Sequence, residues 1–428
     1  MKKGCLLPCT GLVALGFAAH AHAAGFYLQE QSVRGTGRAY SGEAADQGVA
    51  SLWWNPAAIA RSGREAYVGA HGIIIDSQLT DAGSTVTYPG GTTLPAGGAP
   101  RAFKPIPPGV VPNLAIATQV GDRFAVGVSA NSPYSFTSKY ERRAFTRYDA
   151  LTSSLRTADI QLTGAMKVTD WLDLGAGASA EHVSARLSNA TPNLPPLLPD
   201  ALQTLSGKGW DWGWSVGAQA HFDRLTLGAS YRSRIKHRLD GRIAVSGLLG
   251  PLAGSNFAVD GAAAFTTPWI ATLGARYALT DQLTLNGQVQ RIGWSKFDAI
   301  RVSLPAGGQV LRQDYKSTTT GAIGLDYAVS PVLTLRTGAQ YDPTPTPDIG
   351  RTARVPDGDR WLIGAGATAE VAQGMKLDAA FAYIHFKDTR IDHTQAFYAG
   401  TPAATTVHSV GDLQGAGYVL SLGMRAAF

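Results

Sequence analysis

The residues best suited to chemistry are charged groups set in polar stretches. The segment Arg351-Thr352-Ala353-Arg354-Val355-Pro356-Asp357-Gly358-Asp359-Arg360 interleaves three arginines with two aspartates. Guanidinium and carboxylate groups form strong, charge-assisted hydrogen bonds. Arg351, Arg354, Asp357, Asp359 and Arg360 are therefore a candidate charge network that pins a long loop, or attracts a carboxylate headgroup. A second group is Arg142, Arg143 and Arg147 with Phe145 and Tyr148 among them. It suits an amphiphile, or a solvated surface loop lying against an anionic surface. The histidines after the first thirty residues are His71, His182, His221, His237, His385, His393 and His408, and none has the spacing of an HExxH metal site. No G-x-S-x-G elbow occurs. Asp388, Asp392 and His393 are neighbours in a polar stretch, and would be the place to seek a hydrolase site. No catalytic residue, metal site or cofactor is assigned.

Composition narrows the class. Charged residues make up 16% of the chain, against roughly 25% in ordinary globular proteins. Glycine numbers 50 of 428, where average usage of about 7% gives roughly 30. The formal net charge is +6, spread without a dense basic tract, so nucleic acid is excluded as a partner. Lys2 and Lys3, an apolar stretch from Gly11 to Ala19, and Ala21-His22-Ala23 read as a secretory leader cleaved after Ala23. Cys5 and Cys9 are the only cysteines and both fall inside it, so the mature chain has no thiol chemistry.

Something must position the charged loops, and the dominant pattern is period-2 alternation in runs of about ten residues. Leu225, Leu227, Ala229 and Tyr231 alternate with small or polar residues. So do Leu273, Ala275, Tyr277 and Leu279, then Ile323, Leu325, Tyr327 and Val329, then Leu377, Ala379, Phe381 and Tyr383. Short turns (121–123, 169–170, 222–224, 280–282, 330–331, 373–374) alternate with long polar connections (76–110, 132–156, 188–209, 236–267, 296–315, 343–359, 387–414). Region 236–267 leaves room for strand extensions or a loop helix. Six short and seven long connections imply about fourteen strands, with both termini on the short-turn, periplasmic side. An open sheet edge in lipid would leave backbone groups unpaired at several kcal/mol each, so the sheet must close. Trp171, Trp269, Trp294 and Trp361 are candidates for the interfacial aromatic girdles. The alternation Tyr418, Leu420, Leu422, Met424, Ala426, Phe428 ends on an aromatic. This resembles the signal by which the barrel-assembly machinery recognises its substrates.

Residues 24–60 show no alternation. Asn55-Pro56 reads as a helix entry, with Asn as cap and Pro at the first position. Phe26, Tyr27, Leu28, Trp53, Trp54 and Ile59 make the segment too apolar to hang in water, and a fourteen-stranded barrel otherwise has a wide lumen. The segment is expected to fold inward as a plug. The fold class is all-β: a fourteen-stranded antiparallel transmembrane barrel with a small N-terminal helical hatch. The divisions are leader 1–23, hatch 24–63 and barrel 64–428.

Several motifs recur in a fixed order: Ala24-Gly25-Phe26, Gly37-Arg38-Ala39-Tyr40-Ser41-Gly42-Glu43, Asn55-Pro56-Ala57, Gly209-Trp210-Asp211-Trp212-Gly213-Trp214, Trp294-Ser295-Lys296-Phe297 and the Arg351–Arg360 run. Their order resembles the FadL family of outer-membrane transporters for long-chain fatty acids and other hydrophobic compounds. The resemblance implies a hatch-closed barrel and a ligand path that leaves sideways at a kink in the third strand. Here that kink falls at Asn131-Ser132-Pro133-Tyr134, and Pro133 cannot donate to a sheet ladder. The resemblance also implies that Asn55, Pro56 and Ala57 touch the kinked strand, and that Phe26 moves when ligand arrives. The expected partners are a hydrophobic small molecule, outer-membrane lipid and lipopolysaccharide, with the chain acting as a monomer. An aromatic-hydrocarbon channel, a water-filled porin and an adhesin barrel remain alternatives.

Overall fold

The computed structural model describes residues 25–428 apart from 197 and 306. The expected leader lies outside the described residues. Fourteen antiparallel strand positions close into one barrel. They are β1 (Glu65–Asp81), β2 (Gly109–Val120), β3 (Phe124–Asn131, resuming at Ser135–Lys139), β4 (Thr152–Lys167) and β5 (Leu172–Thr191). Next come β6 (Ala201–Phe222), β7 (Leu225–Arg232 and Lys236–Ser246) and β8 (Phe257–Thr266 and Ile270–Ala278). Then follow β9 (Leu283–Ile292 and Ala299–Leu304), β10 (Gly307–Arg312 and Thr318–Ser330) and β11 (Leu333–Asp342). The wall ends with β12 (Arg360–Ala372), β13 (Met375–Phe386) and β14 (Thr405–Ala427). Closure is made by β1 against β14, from Glu65↔Ala427 to Asp81↔Gly411.

The alternating apolar residues face outward. Leu273 is 64% and Ile323 68% exposed, and Leu420, Leu422 and Phe381 are exposed too. This is the reverse of a soluble fold, and it makes the outer face a lipid-facing surface. Near the short turns Trp171 stacks on Phe222, 6.1 Å between ring centroids. Towards the other rim Trp214, Tyr231 and Trp269 stack in a row, at 5.4 and 6.0 Å. These pairs lie where amphipathic rings settle at the two membrane surfaces. Trp294 departs from the girdle reading, because it is fully buried and points into the barrel.

The long connections are mostly not loops. β5 and β6 stay paired out to Thr191↔Ala201. The β7–β8 hairpin pairs from Lys236↔Thr266 to Val245↔Phe257. Residues 299–304 and 307–312 form another hairpin. Beyond the lipid both faces of a hairpin meet water or other loops, so alternation fades while backbone pairing continues.

Residues from Gly25 to about Arg64 fill the lumen. One helix, α1 (Val33–Gly37), begins at Ser32, whose Oγ accepts the Gly35 N–H at 3.2 Å. Short 3-10 turns follow at Glu43–Ala45, Val49–Ser51 and Pro56–Ile59. The wall accepts this plug at very close range. A Cβ on Gly228 would stand 1.9 Å from the Ala44 carbonyl oxygen, and one on Gly338 would stand 2.2 Å from the Arg38 carbonyl oxygen. Buried charge adds a second tie. The Arg38 guanidinium bonds Glu43, Asp46 (2.5 Å) and Asp326 of β10 (3.1 Å). Asp326 also takes Arg276 of β8 at 2.7 Å and Arg336 of β11 at 3.3 Å. Burial would push the Asp46 carboxyl up, but Arg276, Arg34 and Arg38 together hold it well below the usual carboxylate range.

Gly228→Val should push the hatch off β7, at a cost of about 1–3 kcal/mol or more. The expected outcome is a lower unfolding midpoint and faster sucrose efflux from liposomes holding the variant. A variant as tight and as stable as the parent would refute direct docking of the hatch on this glycine.

Candidate functional site

Strand β3 is interrupted on the outer half of the barrel. Its first half pairs with β2 as far as Leu114↔Ala130, and with β4 as far as Asn131↔Asp159. Its second half pairs with β4 from Ser135↔Arg156. Three residues, Ser132, Pro133 and Tyr134, therefore face two on β4, Thr157 and Ala158, which is a bulge. Beyond the bulge the ladder joining β3 to β2 is lost, while Gly109–Asn113 of β2 still pairs with β1.

The hatch N-terminus fills the role of the missing strand. Leu28 donates its N–H to the Pro133 carbonyl at 2.8 Å, and Ser135 donates to the Phe26 carbonyl at 3.0 Å. Tyr27 and Tyr134 form an antiparallel bridge. Gln31 spans the gap with its side chain: Nε2 donates to the Ser132 carbonyl, and Oε1 accepts from both Asn113 Nδ2 of β2 and Asn131 Nδ2 of β3, each at 3.0–3.1 Å. Asn113 Oδ1 lies 2.7 Å from His71 Nε2 on β1. Asn131, Ser132, Pro133 and Tyr134 at this break each engage the hatch or β4.

Gln31 escaped sequence reasoning. Its only signal was the run Gln29-Glu30-Gln31, three polar side chains in a segment otherwise expected to be buried.

Phe26 links the break to a cavity. Its ring sits in an aromatic cage, 4.8 Å from Trp294, 4.9 Å from Phe297 and 5.9 Å from both Tyr134 and Phe136. On the outer side the ring faces a cavity of about 370 Å³. Leu155, Leu187, Leu239, Phe265 and Ile300 give it apolar walls. That volume lies in the range that encloses a single small ligand.

The remaining predicted residues are distributed differently. Asn55 caps the Pro56–Ile59 turn, its Oδ1 accepting the Ala57 N–H at 2.9 Å. Its Nδ2 donates to Ala44 O and Ala218 O. Pro56 and Ala57 press on Gly175 of β5, and Asn55 on Gly217 of β6. This motif thus docks low on the wall, towards the short turns, and not at the break. The five charges of the Arg351–Arg360 run also diverge, because neighbouring residues in an extended chain point to opposite sides. Arg351 pairs with Asp348 at 3.0 Å. Arg354 Nη2 donates to Asn189 Oδ1 at 3.1 Å. Asp357 accepts the Gly25 N–H at 2.8 Å and the Thr344 hydroxyl at 2.5 Å. Asp359 accepts the Thr344 N–H, and Arg360 pairs with Asp342. Arg147 is occupied by Asp200 and by the Ala96 and Gly97 carbonyls, while Phe145 is buried in a loop core. The apolar outer segments Pro192–Pro199 and Leu248–Leu252 contribute Leu194, Leu248 and Leu252 to one small cluster. No group of three or more metal-ligating side chains occurs among the described residues.

Residues 14–428 match the family described as "Outer membrane protein transport protein (OMPP1/FadL/TodX)". The chain belongs to this family. It is 27% identical to outer membrane protein P1 of Haemophilus influenzae, over 96% of this chain and 97% of that one. It is 28% identical to the long-chain fatty acid transport protein of Salmonella typhi, over 87% and 90%. Its fold is similar to that of a Pseudomonas aeruginosa FadL homologue, with a TM-score of 0.81 at 23% identity over 94% and 99% of the two chains. The Pseudomonas putida toluene transporter TodX has the same architecture, with a TM-score of 0.63 at 17% identity over 89% and 94%. As a member of the OMPP1/FadL/TodX family the chain is an outer-membrane barrel, and its matched relatives are transport proteins and channels.

Asp357 makes the seating of the N-terminus dependent on pH. Burial pushes its carboxyl up to about 6, against the pull of Arg360, the Thr344 hydroxyl and the Gly25 N–H. A raised value disfavours the ionised form in the folded state. The stabilisation is therefore complete below the unfolded value of 3.8 and is lost as pH rises through about 6. Hydrogen exchange at residues 25–28, corrected for intrinsic rates, should become less protected from pH 4 to pH 7. Asp357→Asn should flatten that profile; an unchanged profile in the variant would remove Asp357 from the explanation.

Proposed function

We propose that this protein takes up long-chain fatty acids or other hydrophobic compounds passively across the outer membrane and releases them sideways, through the break in β3. Ligand enters from the outer side and occupies the apolar cavity above Phe26. It competes with Phe26 for the aromatic cage of Trp294, Phe297 and Tyr134. As Phe26 leaves, Tyr27 and Leu28 release Pro133 and Ser135, and the space between β2 and β3 opens towards lipid. Partition down a gradient drives the movement, since apolar surface gains about 25 cal/mol per Å² on leaving water. A protonated or uncharged ligand then continues into the membrane without crossing the periplasmic half of the lumen, which the hatch occupies.

The observation that carries this reading is that one residue, Phe26, floors the cavity with its ring and bonds the broken strand with its carbonyl. The relatives named for fatty acid and toluene transport support the hydrophobic class of ligand. Asn55, Pro56 and Ala57 act in this scheme as the anchor that keeps the body of the hatch in place while its N-terminus moves. The charged loop residues hold the cavity roof to the strands beneath it.

The double variant Tyr27→Cys/Tyr134→Cys tests the gate, because an antiparallel bridge places the two Cα atoms at disulfide range. Uptake of labelled oleate and of toluene is measured in cells lacking other such transporters. Oxidation should abolish uptake of both, and dithiothreitol should restore it. Full uptake by the cross-linked protein would place the exit elsewhere, and sucrose flux through the reduced parent would make this a general porin.

A further inference from the structure

We propose that the outside of the wall at β7 to β9 is a docking surface for the phosphorylated, multiply acylated lipid anchor of lipopolysaccharide. Acyl chains lie in a hollow of the wall, and phosphates sit on the cations above it. The surface faces lipid and is independent of the uptake reading. Small outward residues make the hollow: Ala218 meets Ala229, Ala275 meets Gly287, and Gly321 meets Val289 across adjacent strands. A Cβ on Gly287 or Gly321 would meet nothing within 4 Å. The depression measures about 900 Å³, and Leu227, Leu273 and Ile323 rise around it. A second depression of about 580 Å³ shares Ala218, Ala229, Leu273 and Val289 with the first, and continues outward to Tyr231 and Arg291.

The outer end of this track is basic. Tyr231, Ala271 and Arg291 form one row across β7, β8 and β9. Neighbouring strands are about 4.8 Å apart, so Tyr231 and Arg291 stand about 10 Å apart, with only a methyl group between them. Beyond Tyr231, β7 carries one extra residue between its pairings Val216↔Tyr231 and Lys208↔Asp240. Such a bulge re-aims side chains. Ile235, His237 and Leu239 are buried, while Arg234, Lys236 and Arg238 are exposed. Among the described residues, Arg234, Lys236 and Arg291 have no carboxylate within ion-pair distance, because those nearby are taken. Asp240 pairs with Arg238 and Asp260 with Arg242, both at 3.7 Å, and Asp298 with Arg301 at 2.5 Å. Arg291 Nη1 donates to the Thr319 hydroxyl at 2.8 Å. Exposed cations on the opposite side of the barrel are matched, Lys104 by Asp76 at 3.7 Å and Arg390 by Asp412 at 3.9 Å.

Trp210, Trp212 and Trp214 stand on the same outer face of β6, 56%, 78% and 51% exposed. Indole rings gather at the level of lipid headgroups. Arg234, Lys236 and Arg291 are therefore at phosphate height, and their long side chains can lay apolar stems on the wall while the charges reach the headgroups. A soluble anion would gain nothing from the hollow, and an uncharged lipid nothing from the cations. A lipid with chains below and phosphate above gains both. Cations two strands apart suit a head that carries more than one phosphate.

Native mass spectrometry of the purified full-length mature protein, titrated with diphosphoryl lipid A in detergent, tests the surface. The parent should retain bound lipid A. Arg234→Gln/Lys236→Gln/Arg291→Gln should weaken binding about a hundredfold, at about fivefold per cation near a membrane surface. Gly287→Leu fills the hollow and leaves every charge, and should weaken binding about tenfold through lost chain contact. Monophosphoryl lipid A should bind the parent more weakly than the diphosphoryl form, and Lys104→Gln/Arg390→Gln should bind as the parent does. Parent-like resistance to unfolding by dodecyl sulfate at room temperature shows that each variant is folded. Parent-like affinity in the triple variant would overturn the assignment. So would displacement by millimolar inorganic phosphate, which marks a simple anion site, or equal binding of phosphatidylglycerol, which marks an unselective lipid contact.

Discussion

A membrane barrel has one rule that cannot be relaxed cheaply: each backbone N–H and C=O facing hydrocarbon must find a partner in the neighbouring strand. In this chain the ladder between β3 and β2 ends on the outer half of β3, where the extra residue at Ser132–Tyr134 takes it out of register. The N-terminal segment answers that breach. Phe26 and Leu28 bond to Ser135 and Pro133, and Gln31 reaches both Asn113 and Asn131. A bond supplied by a tethered peptide can be withdrawn in a way that one between two long strands cannot. At this break the closure rule is met by the hatch and not by the wall.

The hatch is divided by how firmly it is held. Its body lies on glycines so closely that Gly228 and Gly338 have no room for a methyl group. It is also bound by the buried set of Arg38, Glu43, Asp46 and Asp326, which reaches β8, β10 and β11. Removing one member of such a set strands an uncompensated charge, which makes the arrangement hard to dismantle stepwise. The first residues have a different footing. Gly25 to Leu28 are held by a few hydrogen bonds and by ring contacts in an apolar cage, the kind of contact that a hydrophobic ligand can replace. The first residues are thus held by replaceable contacts, and the body of the hatch by buried charge and close packing.

The charged loop works as a roof by dispersal. Asp357 grips Gly25, Arg360 grips β11 through Asp342, and Arg351 is matched close to its own position. Each charge is thereby spent on holding the outer end of the barrel together. Arg354 stands apart because its guanidinium faces an amide where its neighbours face carboxylates.

Much of this was determined by the sequence alone. Period-2 alternation at Leu273–Leu279 or Ile323–Val329, Asp- and Gly-bearing turns, and the terminal Phe428 depend only on short-range geometry and on which face meets lipid. They led to fourteen strands, and the apolar residues of 24–60 led to the inward plug. The resemblance put a kink in the third strand, at Asn131–Tyr134 where Pro133 cannot donate to a ladder, and the ladder to β2 ends there. The tertiary structure alone decided what depends on residues far apart in the chain. Trp294 looked like a girdle residue until the fold turned it inwards against Phe26, since one aromatic on a strand carries no sign of which face it serves. The outer hairpins read as loops because pairing beyond the lipid leaves no apolar rhythm. Asn55-Pro56-Ala57 sits on β5 and β6, and the charged run pairs with Asp342, Asn189 and Gly25, because partners across a closed sheet are set by register and not by proximity in sequence.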